Sequence, residues 1–374
     1  MRLLHTADWQ LGKEFGSFGD DAGALLRAQR IKTVRAVAEL ATTEKVDLVL
    51  VAGDVFESNL VKPEVITGML GALRAFSGDW VILPGNHDYA SEPSIWDRLR
   101  GMGFPANVHL ATTEGPALLL QNGTVAVLCA PLVRRHESVD KTAIWNDCET
   151  PAGCLRIGLA HGSVPGFLPA EAEPSNPIAA DRAAAARLDY LALGDWHGTM
   201  EIAPNTWYCG TPESDNFVAN DCGNVLLIEV EAGCAPRIER RAIGHFQWRR
   251  KRAVLQSAGD VEQLGRELST PADAQQIVRL ELSGSLDVAG RALLDRKIEW
   301  WGGQFAALDV RDSQLTTMLR TEDFAAMQPP GYVEAAAQKL GVLHAADPPG
   351  DQAEVAAKAL ELLYRYCSAL GTTP

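Results

Sequence analysis

Five short apolar runs, each closed by a side chain able to bind a metal ion, constrain this chain more than any other feature. Residues 2–8 read RLLHTAD, 48–54 LVLVAGD, 80–86 WVILPGN, 155–161 LRIGLAH and 190–197 YLALGDWH. Short runs rich in Val, Ile and Leu suit strands buried on both faces. Between them, 24–45, 64–76 and 179–188 carry helical periodicity, and the alternation implies an α/β layered domain. Ligands in such folds gather beyond the carboxyl ends of the strands, where all five runs place their polar residues.

Strands without intervening helices follow at 125–131, 206–210, 224–230 and 237–243, implying a second sheet packed beside the first. The segment between His161 and Ala179 holds Pro165, Pro169, Pro174 and Pro177, so it reads either as a lid over a site or as a surface excursion. After residue 246 the order becomes strand 246–256, helix 260–268, strand 276–282, helix 288–301 and strand 305–311, a small separate domain. Trp300 and Trp301 are expected to pack it, and Trp248 to pack at its edge or stack on a base. Breaker clusters at 328–331 and 347–350 then separate short helices. The last carries an apolar stripe of Val355, Ala359, Leu362, Leu363, Tyr366 and Leu370. The expected division is 1–245, 246–315 and a helical tail over 316–374.

The net charge of −14 counts against a protein that coats nucleic acid through overall attraction, and leaves a local basic site open. No apolar run approaches the roughly 18 residues of a membrane span. Asp8 interrupts the start too soon for a secretory apolar region. The seven cysteines are odd in number and form no C-x-x-C pair, which points to reduced thiols rather than disulfides or a zinc knuckle. A soluble, cytoplasmic protein is expected.

In order, the strand-end residues are Asp8 with Gln10, Asp54, Asn86 with His87 and Asp88, His161, and Asp195 with His197. Taken singly, an Asp after a strand is usually a cap, and a His near an apolar run a satisfied core residue. Oxygen and imidazole donors at five successive strand ends instead suit two divalent cations, which a carboxylate such as Asp54 can bridge. The histidines favour Mn, Fe or Zn over Mg alone. Two such ions about 3.5–4 Å apart clamp a phosphate for in-line attack.

The segments Asp8-Trp9-Gln10, Gly53-Asp54-Val55-Phe56, Gly85-Asn86-His87-Asp88, His161-Gly162 and Gly194-Asp195-Trp196-His197 resemble, in order, the motifs of calcineurin-like metallophosphoesterases. HTADWQLG, LVAGDVFES and WYCGTPESDNF are similar to the SbcD-type branch, which holds DNA repair nucleases. The resemblance covers about residues 1–245. It implies a two-sheet α/β sandwich flanked by helices, with a small α+β capping domain and a helical C-terminal tail. By the same resemblance, Asp8 and His197 bind the first metal, Asp54 bridges, and Asn86, His161 and Asp195 bind the second. His87 orients or protonates the leaving oxygen, and Asp88 anchors the loop. Two positions depart from the family pattern. Gln10 stands where a metal-binding His is usual, and Asp195 where the first His of a later motif is expected. Gln10 offers only a carbonyl oxygen, so loose occupancy of the first site and a preference for Mn²⁺ over Zn²⁺ are expected.

Basic residues cluster at Arg134-Arg135-His136 and across 237–252, where Arg237, Arg240, Arg241, Arg249, Arg250, Lys251 and Arg252 face only Glu239. They suit either a phosphate backbone or an ion-paired strand face. Arg240, Arg249, Arg250, Lys251 and Arg252 are the DNA-binding candidates. The resemblance implies a metal-dependent DNA exonuclease, with single-strand endonuclease activity, in double-strand-break repair. It also implies a homodimer and an SbcC-like coiled-coil ATPase partner, and the stripe on the final helix suits docking on such a coiled coil and an intramolecular packing face equally. A phosphodiesterase of small nucleotides and a weakly active scaffold on an ATPase are the alternatives.

Overall fold

In the computed structural model, residues 1–115, 117–167, 176–268, 275–319, 323, 331–344 and 351–371 are described. The chain separates into two compact units, Met1–Gln247 and Trp248–Pro374. The strands of the first unit are β1 (Arg2–Thr6), β2 (Leu48–Ala52), β3 (Asp79–Leu83), β4 (Val108–Leu110), β5 (Leu118–Leu120) and β6 (Val125–Ala130). They continue with β7 (Leu155–His161), β8 (Tyr190–Gly194), β9 (Met200–Ala203), β10 (Thr206–Tyr208), β11 (Asn224–Glu229) and β12 (Arg237–Ala242). Its helices are α1 (Gly19–Thr43), α2 (Pro63–Leu73), α3 (Ile95–Met102) and the single turn α4 (Arg182–Ala185).

Two six-stranded sheets form, in the orders β12-β11-β1-β2-β3-β4 and β5-β6-β7-β8-β10-β9. β1 through β4 run parallel, as do β6, β7 and β8, and β11 returns antiparallel beside β1. Side chains alternate across each strand, so one strand serves two layers. Leu3, Leu48, Leu50, Val81 and Leu83 meet Val127, Ile157, Leu159 and Tyr190 between the sheets. Leu4, Val49, Val51, Trp80 and Ile82, one step out of phase, pack with residues of α1, α2 and α3. Ala126, Leu128, Leu191 and Leu193 do the same on the outer face of the second sheet. Burial on both faces is what the continuous apolar runs encode.

The five metal-bearing runs do not share one sheet, as their common pattern suggested. β1, β2 and β3 lie in the first sheet, and β7 and β8 in the second. Of the strands expected to build a separate sheet, β6 and β10 join β7 and β8, whereas β11 and β12 extend the first sheet. The reason is alternation: a parallel strand apolar on both faces fits either sheet, so the run alone leaves its partner open. The helix expected over 179–188 shortens to α4, because Arg187 adopts a left-handed backbone (φ 54°) and β8 begins at Tyr190. The proline-rich segment is pinned at its flanks, where the Ser163 N–H donates to the Asn176 carbonyl (3.2 Å) and the Ile178 N–H to the Ser163 carbonyl (3.0 Å). Its centre, 168–175, lies outside the described residues, as do 328–330 and 347–350 of the breaker clusters.

The second unit holds a three-stranded sheet of β13 (Gln247–Leu255), β14 (Gln276–Asp287) and β15 (Ala307–Met318), with β14 in the middle and parallel to β15. Helices α5 (Ala258–Leu268) and α6 (Val288–Gly302) join them, in the expected β-α-β-α-β order. Trp301 packs into this core with Leu264, Leu280 and Leu294, whereas Trp300 is 53% exposed and does not pack as expected. Helices α7 (Gly331–His344) and α8 (Asp351–Gly371) pair through Ala337 and Leu360. On α8 the buried face is Ala353, Ala356 and Leu360; of the stripe, Leu363 packs against it, whereas Val355, Leu362 and Tyr366 stay exposed. The side chain of Leu370 lies outside the described residues. Among the described residues, no helix is long and apolar enough to cross a membrane, and all seven cysteines are free.

Arg30 on α1 fastens the layers around the strand ends. Buried, it donates to the carbonyls of Trp9 (2.6 Å), Asp8 (3.2 Å) and Glu213 (3.1 Å) and to Thr211 Oγ1 (3.2 Å). Arg30→Met strands these acceptors, and should lower the unfolding free energy by roughly 3 kcal/mol in urea titrations. A loss below about 0.5 kcal/mol would show that water replaces the guanidinium freely.

Candidate metal centre

The loops after β1 and β2 are laced together by backbone hydrogen bonds. Asp8 N–H donates to the Gly53 carbonyl (3.0 Å), Gln10 N–H to Asp54 (2.8 Å) and Leu11 N–H to Val55 (2.8 Å). These bonds hold Asp8, Gln10 and Asp54 at positive φ (54°, 42° and 50°), and Asp195 after β8 sits at 107°. Such backbone costs an ordinary residue on the order of 1 kcal/mol, and clusters where geometry is fixed for function. Two glycines make room. A Cβ on Gly53 would lie 2.3 Å from His161 Nδ1, and one on Gly85 would lie 2.1 Å from Asp54 Oδ1.

Into that space point Asp8, Asp54 and His161, all buried, with one ligand atom from each within 4.8 Å of the others. His161 Nδ1–H donates to the Ala52 carbonyl (2.8 Å), which turns Nε2 towards Asn86 Oδ1 (3.2 Å), Asp54 Oδ1 (3.5 Å) and Asp195 Oδ1 (3.7 Å). Three oxygens and a ring nitrogen thus converge with their lone pairs on one small volume. A single proton satisfies that arrangement poorly, and a divalent cation with oxygen and imidazole ligands fits it. The electrostatics carry the same demand for positive charge. Burial works against a charged His161, but Asp54, Asp8 and Asp195 outweigh it and raise the imidazole to about 9. Burial lifts Asp8 to about 7, with His197 and His161 pulling down and Asp54 and Asp195 pushing up. Asp195 is raised as well, chiefly by burial, while Ser163 Oγ donates to its Oδ2 (2.7 Å).

His87 and Asp88 stand beside this cluster in different roles. The His87 backbone N–H donates to Asp54 Oδ1 (2.9 Å), and its ring Nδ1–H to the Glu57 carbonyl (3.0 Å), leaving Nε2 free. Asp88 is wholly buried and accepts from the N–H groups of Gly85 (2.7 Å) and Phe56 (3.0 Å), tying the loops after β2 and β3. Burial raises its carboxyl to about 7, with Asp54 adding to the rise. An open groove of about 880 Å³ lies alongside, with Lys13, Phe15, Arg27, Glu57, Leu60 and Lys62 on its walls.

Gln10 and His197, expected at the first metal with Asp8, face each other beside it, and each also has partners of its own. Gln10 Oε1 accepts from Lys13 Nζ (3.0 Å), and Gln10 Nε2 faces His197 Nε2 at 3.3 Å. His197 Nδ1 lies 3.4 Å from Asp215 Oδ2, which also accepts from Lys13 Nζ (2.7 Å). Lys13, Arg30, Glu213 and Asp215 carry no metal-ligand pattern, and the sequence alone assigns them no role. Glu213 accepts from Thr33 Oγ1 (2.5 Å) and from the N–H groups of His245 (3.0 Å) and Phe246 (2.9 Å). The signal was present in WYCGTPESDNF, whose two carboxylates sit in an otherwise apolar and small-residue stretch.

The basic candidates are ion-paired or hydrogen-bonded within the chain. Arg240 pairs with Asp221, Arg249 bonds Gln276 Oε1 (3.0 Å) and Lys251 pairs with Glu267 (2.5 Å). Arg250 (3.3 Å) and Arg252 (2.7 Å) share Glu281. The strand-face alternative therefore describes their resting state. Exposed pairs of this kind contribute only about 0–1 kcal/mol, so these cations can still exchange a carboxylate for a phosphate.

Oxygen and imidazole donors gathered where the strands of two facing sheets end define a metal-dependent phosphoesterase. The chain belongs to the calcineurin-like phosphoesterases, whose family profile matches residues 1–198, more than half its length. It is a hydrolase of phosphate ester bonds, of a family that uses divalent metals. It is 26% identical to the D subunit of the nuclease SbcCD of Escherichia coli (strain K12) over 317 residues, covering 74% of this chain and 75% of that protein. It is 24% identical to "Uncharacterized metallophosphoesterase YhaO" of Bacillus subtilis (strain 168), over 62% of this chain and 58% of that one. The solved structure of TT1561 of Thermus thermophilus aligns with 65% of this chain and 98% of its own, at a TM-score of 0.40 and 12% identity.

Asp8 gives the cluster a pH signature. Its carboxyl ionises near 3.8 in an unfolded chain and at about 7 here, so across that range the folded chain keeps a proton the unfolded chain has lost. Stability of the metal-free protein therefore falls as pH rises through that window. In chelator, the melting temperature of Asp8→Asn should gain on the wild type between about pH 4 and pH 7, and Mn²⁺ should reduce the gain. A difference independent of pH would mean that Asp8 ionises without opposition.

Proposed function

We propose that the chain is a metal-dependent DNA nuclease of double-strand-break repair in the cytoplasm, an exonuclease on duplex ends and an endonuclease on single strands. The observation that carries this reading is the reach of its similarity to the SbcCD nuclease protein. That similarity covers 74% of the chain and so runs past the phosphoesterase profile at 1–198. A bare phosphoesterase would share only the catalytic layers.

The ion assigned to the cluster is Mn²⁺, held by Asp54, Asn86, His161 and Asp195 with Asp8 beside them. Three hard oxygens and one imidazole favour it over Zn²⁺. When bound there, such a cation would supply positive charge to the phosphate and acidify a water for in-line attack. The chain's own residues do the rest. Asp54 fixes the position of His87 through the backbone N–H, and Glu57 fixes the tautomer of its ring. The free Nε2 then orients the scissile phosphate and, when protonated, donates its proton to the leaving oxygen. Asp88 keeps both loops in register. The second unit serves as the cap, and Arg240, Arg249, Arg250, Lys251 and Arg252 exchange their carboxylate partners for the DNA backbone. Exposed Val355, Leu362 and Tyr366 on α8 support docking of a coiled-coil ATPase like that of the SbcCD complex, with two copies of this chain per assembly.

End-labelled duplex and single-stranded DNA, with a small phosphodiester as control, test this with Mn²⁺ present and absent. Wild type should degrade both DNAs only with the ion, and His87→Ala should be slower by about 100-fold or more. Cleavage of the small diester alone would contradict a DNA substrate. Equal DNA cleavage by both proteins would remove His87 from the reaction.

A further inference from the structure

The residues expected around the first metal form a closed ring of polar contacts, three hydrogen bonds and one ion pair. Lys13 Nζ donates to Gln10 Oε1 (3.0 Å) and to Asp215 Oδ2 (2.7 Å). A lysine ammonium is only a donor, so it fixes which end of the Gln10 amide is oxygen. The amide NH₂ must then face His197, where Gln10 Nε2 stands 3.3 Å from the ring Nε2. On its other side Nδ1 lies 3.4 Å from the Asp215 carboxylate, so with the amide NH₂ facing Nε2 the ring proton belongs on Nδ1 and the lone pair on Nε2. That lone pair receives the Gln10 amide. Turning the amide over would set its NH₂ against the ammonium, two donors facing each other.

The ring thus consumes the Gln10 oxygen and the His197 nitrogen, the two atoms a metal would need. It also places a full positive charge beside them. Lys13 is held firmly enough to matter, since the Asp215 carboxylate that accepts from it at 2.7 Å is buried. Asp8, the remaining first-metal ligand, also lies within 4.8 Å of ligand atoms of Asp54 and His161 and so can serve their ion. The residues present therefore fit one divalent ion at His161 and do not fit a second at His197.

We propose that this chain is a one-metal enzyme, in which the Lys13 ammonium, locked by Gln10 and Asp215, occupies the electrostatic place of the second ion. The proposal rests on the metal centre assigned above. It makes Lys13 a positioning residue for the cluster, since its charge offsets the buried carboxylates from the His197 side. It also accounts for Gln10 without loss of the site: a histidine there has no carbonyl oxygen to offer the ammonium.

Metal stoichiometry tests it directly, by equilibrium dialysis of the full chain against Mn²⁺, elemental analysis and electron paramagnetic resonance. Wild type should hold one Mn²⁺ per chain with an uncoupled spectrum. The double variant Gln10→His/Lys13→Ala opens the ring and supplies an imidazole, so it should hold two with an exchange-coupled spectrum. Two coupled ions in the wild type would overturn the inference and leave the metal centre standing. No ion in the wild type would overturn the metal centre itself. If the double variant stays folded by circular dichroism and still binds one, Lys13 is not what excludes the second, and its assignment fails.

Discussion

Three carboxylates, Asp8, Asp54 and Asp195, converge where strands of two facing sheets end, and burial raises Asp8 and Asp195, so the cluster favours a cation among them. Much of the first unit is arranged around that constraint. The strand ends from both sheets bring the groups together, and the left-handed backbone at Asp8, Gln10, Asp54 and Asp195 turns them inward. Gly53 and Gly85 leave no Cβ in the way. Positive charge comes from His161 and, on the opposite flank, from Lys13 through the Asp215 ring. The cost of this crowding is spread over the layers that hold the loops, chiefly through Arg30 and Asp88.

The same constraint separates the two histidines. His161 gives Nδ1 to a backbone carbonyl, a neutral partner that leaves Nε2 aimed at oxygens. His197 gives Nδ1 to a carboxylate and meets an amide at Nε2. Identical side chains at neighbouring strand ends thereby face different partners, one turning Nε2 to carboxylate and amide oxygens and the other to an amide nitrogen. His5 shows a third outcome: wholly buried between the sheets, it bonds Tyr190 and the Leu193 carbonyl, and burial depresses its pKa to about 3, keeping it neutral.

The strands were legible because each is apolar on both faces, and the cluster because each run ends in a donor. Which sheet a strand joins was not legible, since a run such as LVLVA presents the same surface to either neighbour. The helix over 179–188 was overread because an alanine-rich stretch keeps helical periodicity whether or not a left-handed residue such as Arg187 ends it. The basic track showed its cations but not their partners, because Glu267 and Glu281 come from other elements of the second unit. The ring around Gln10 was hidden for the same reason. Its Lys13 lies three residues away, but Asp215 is separated from Lys13 by 202. A substitution at one ligand position signals that something has changed; only the fold shows what took its place.

The most direct test of the metal centre is an anomalous difference map from crystals grown with Mn²⁺. The arrangement predicts a strong peak bounded by Asp54, Asn86, His161 and Asp195. A map with no peak among those four side chains, or with its strongest peak elsewhere in the chain, would contradict the assignment of this cluster as the metal centre.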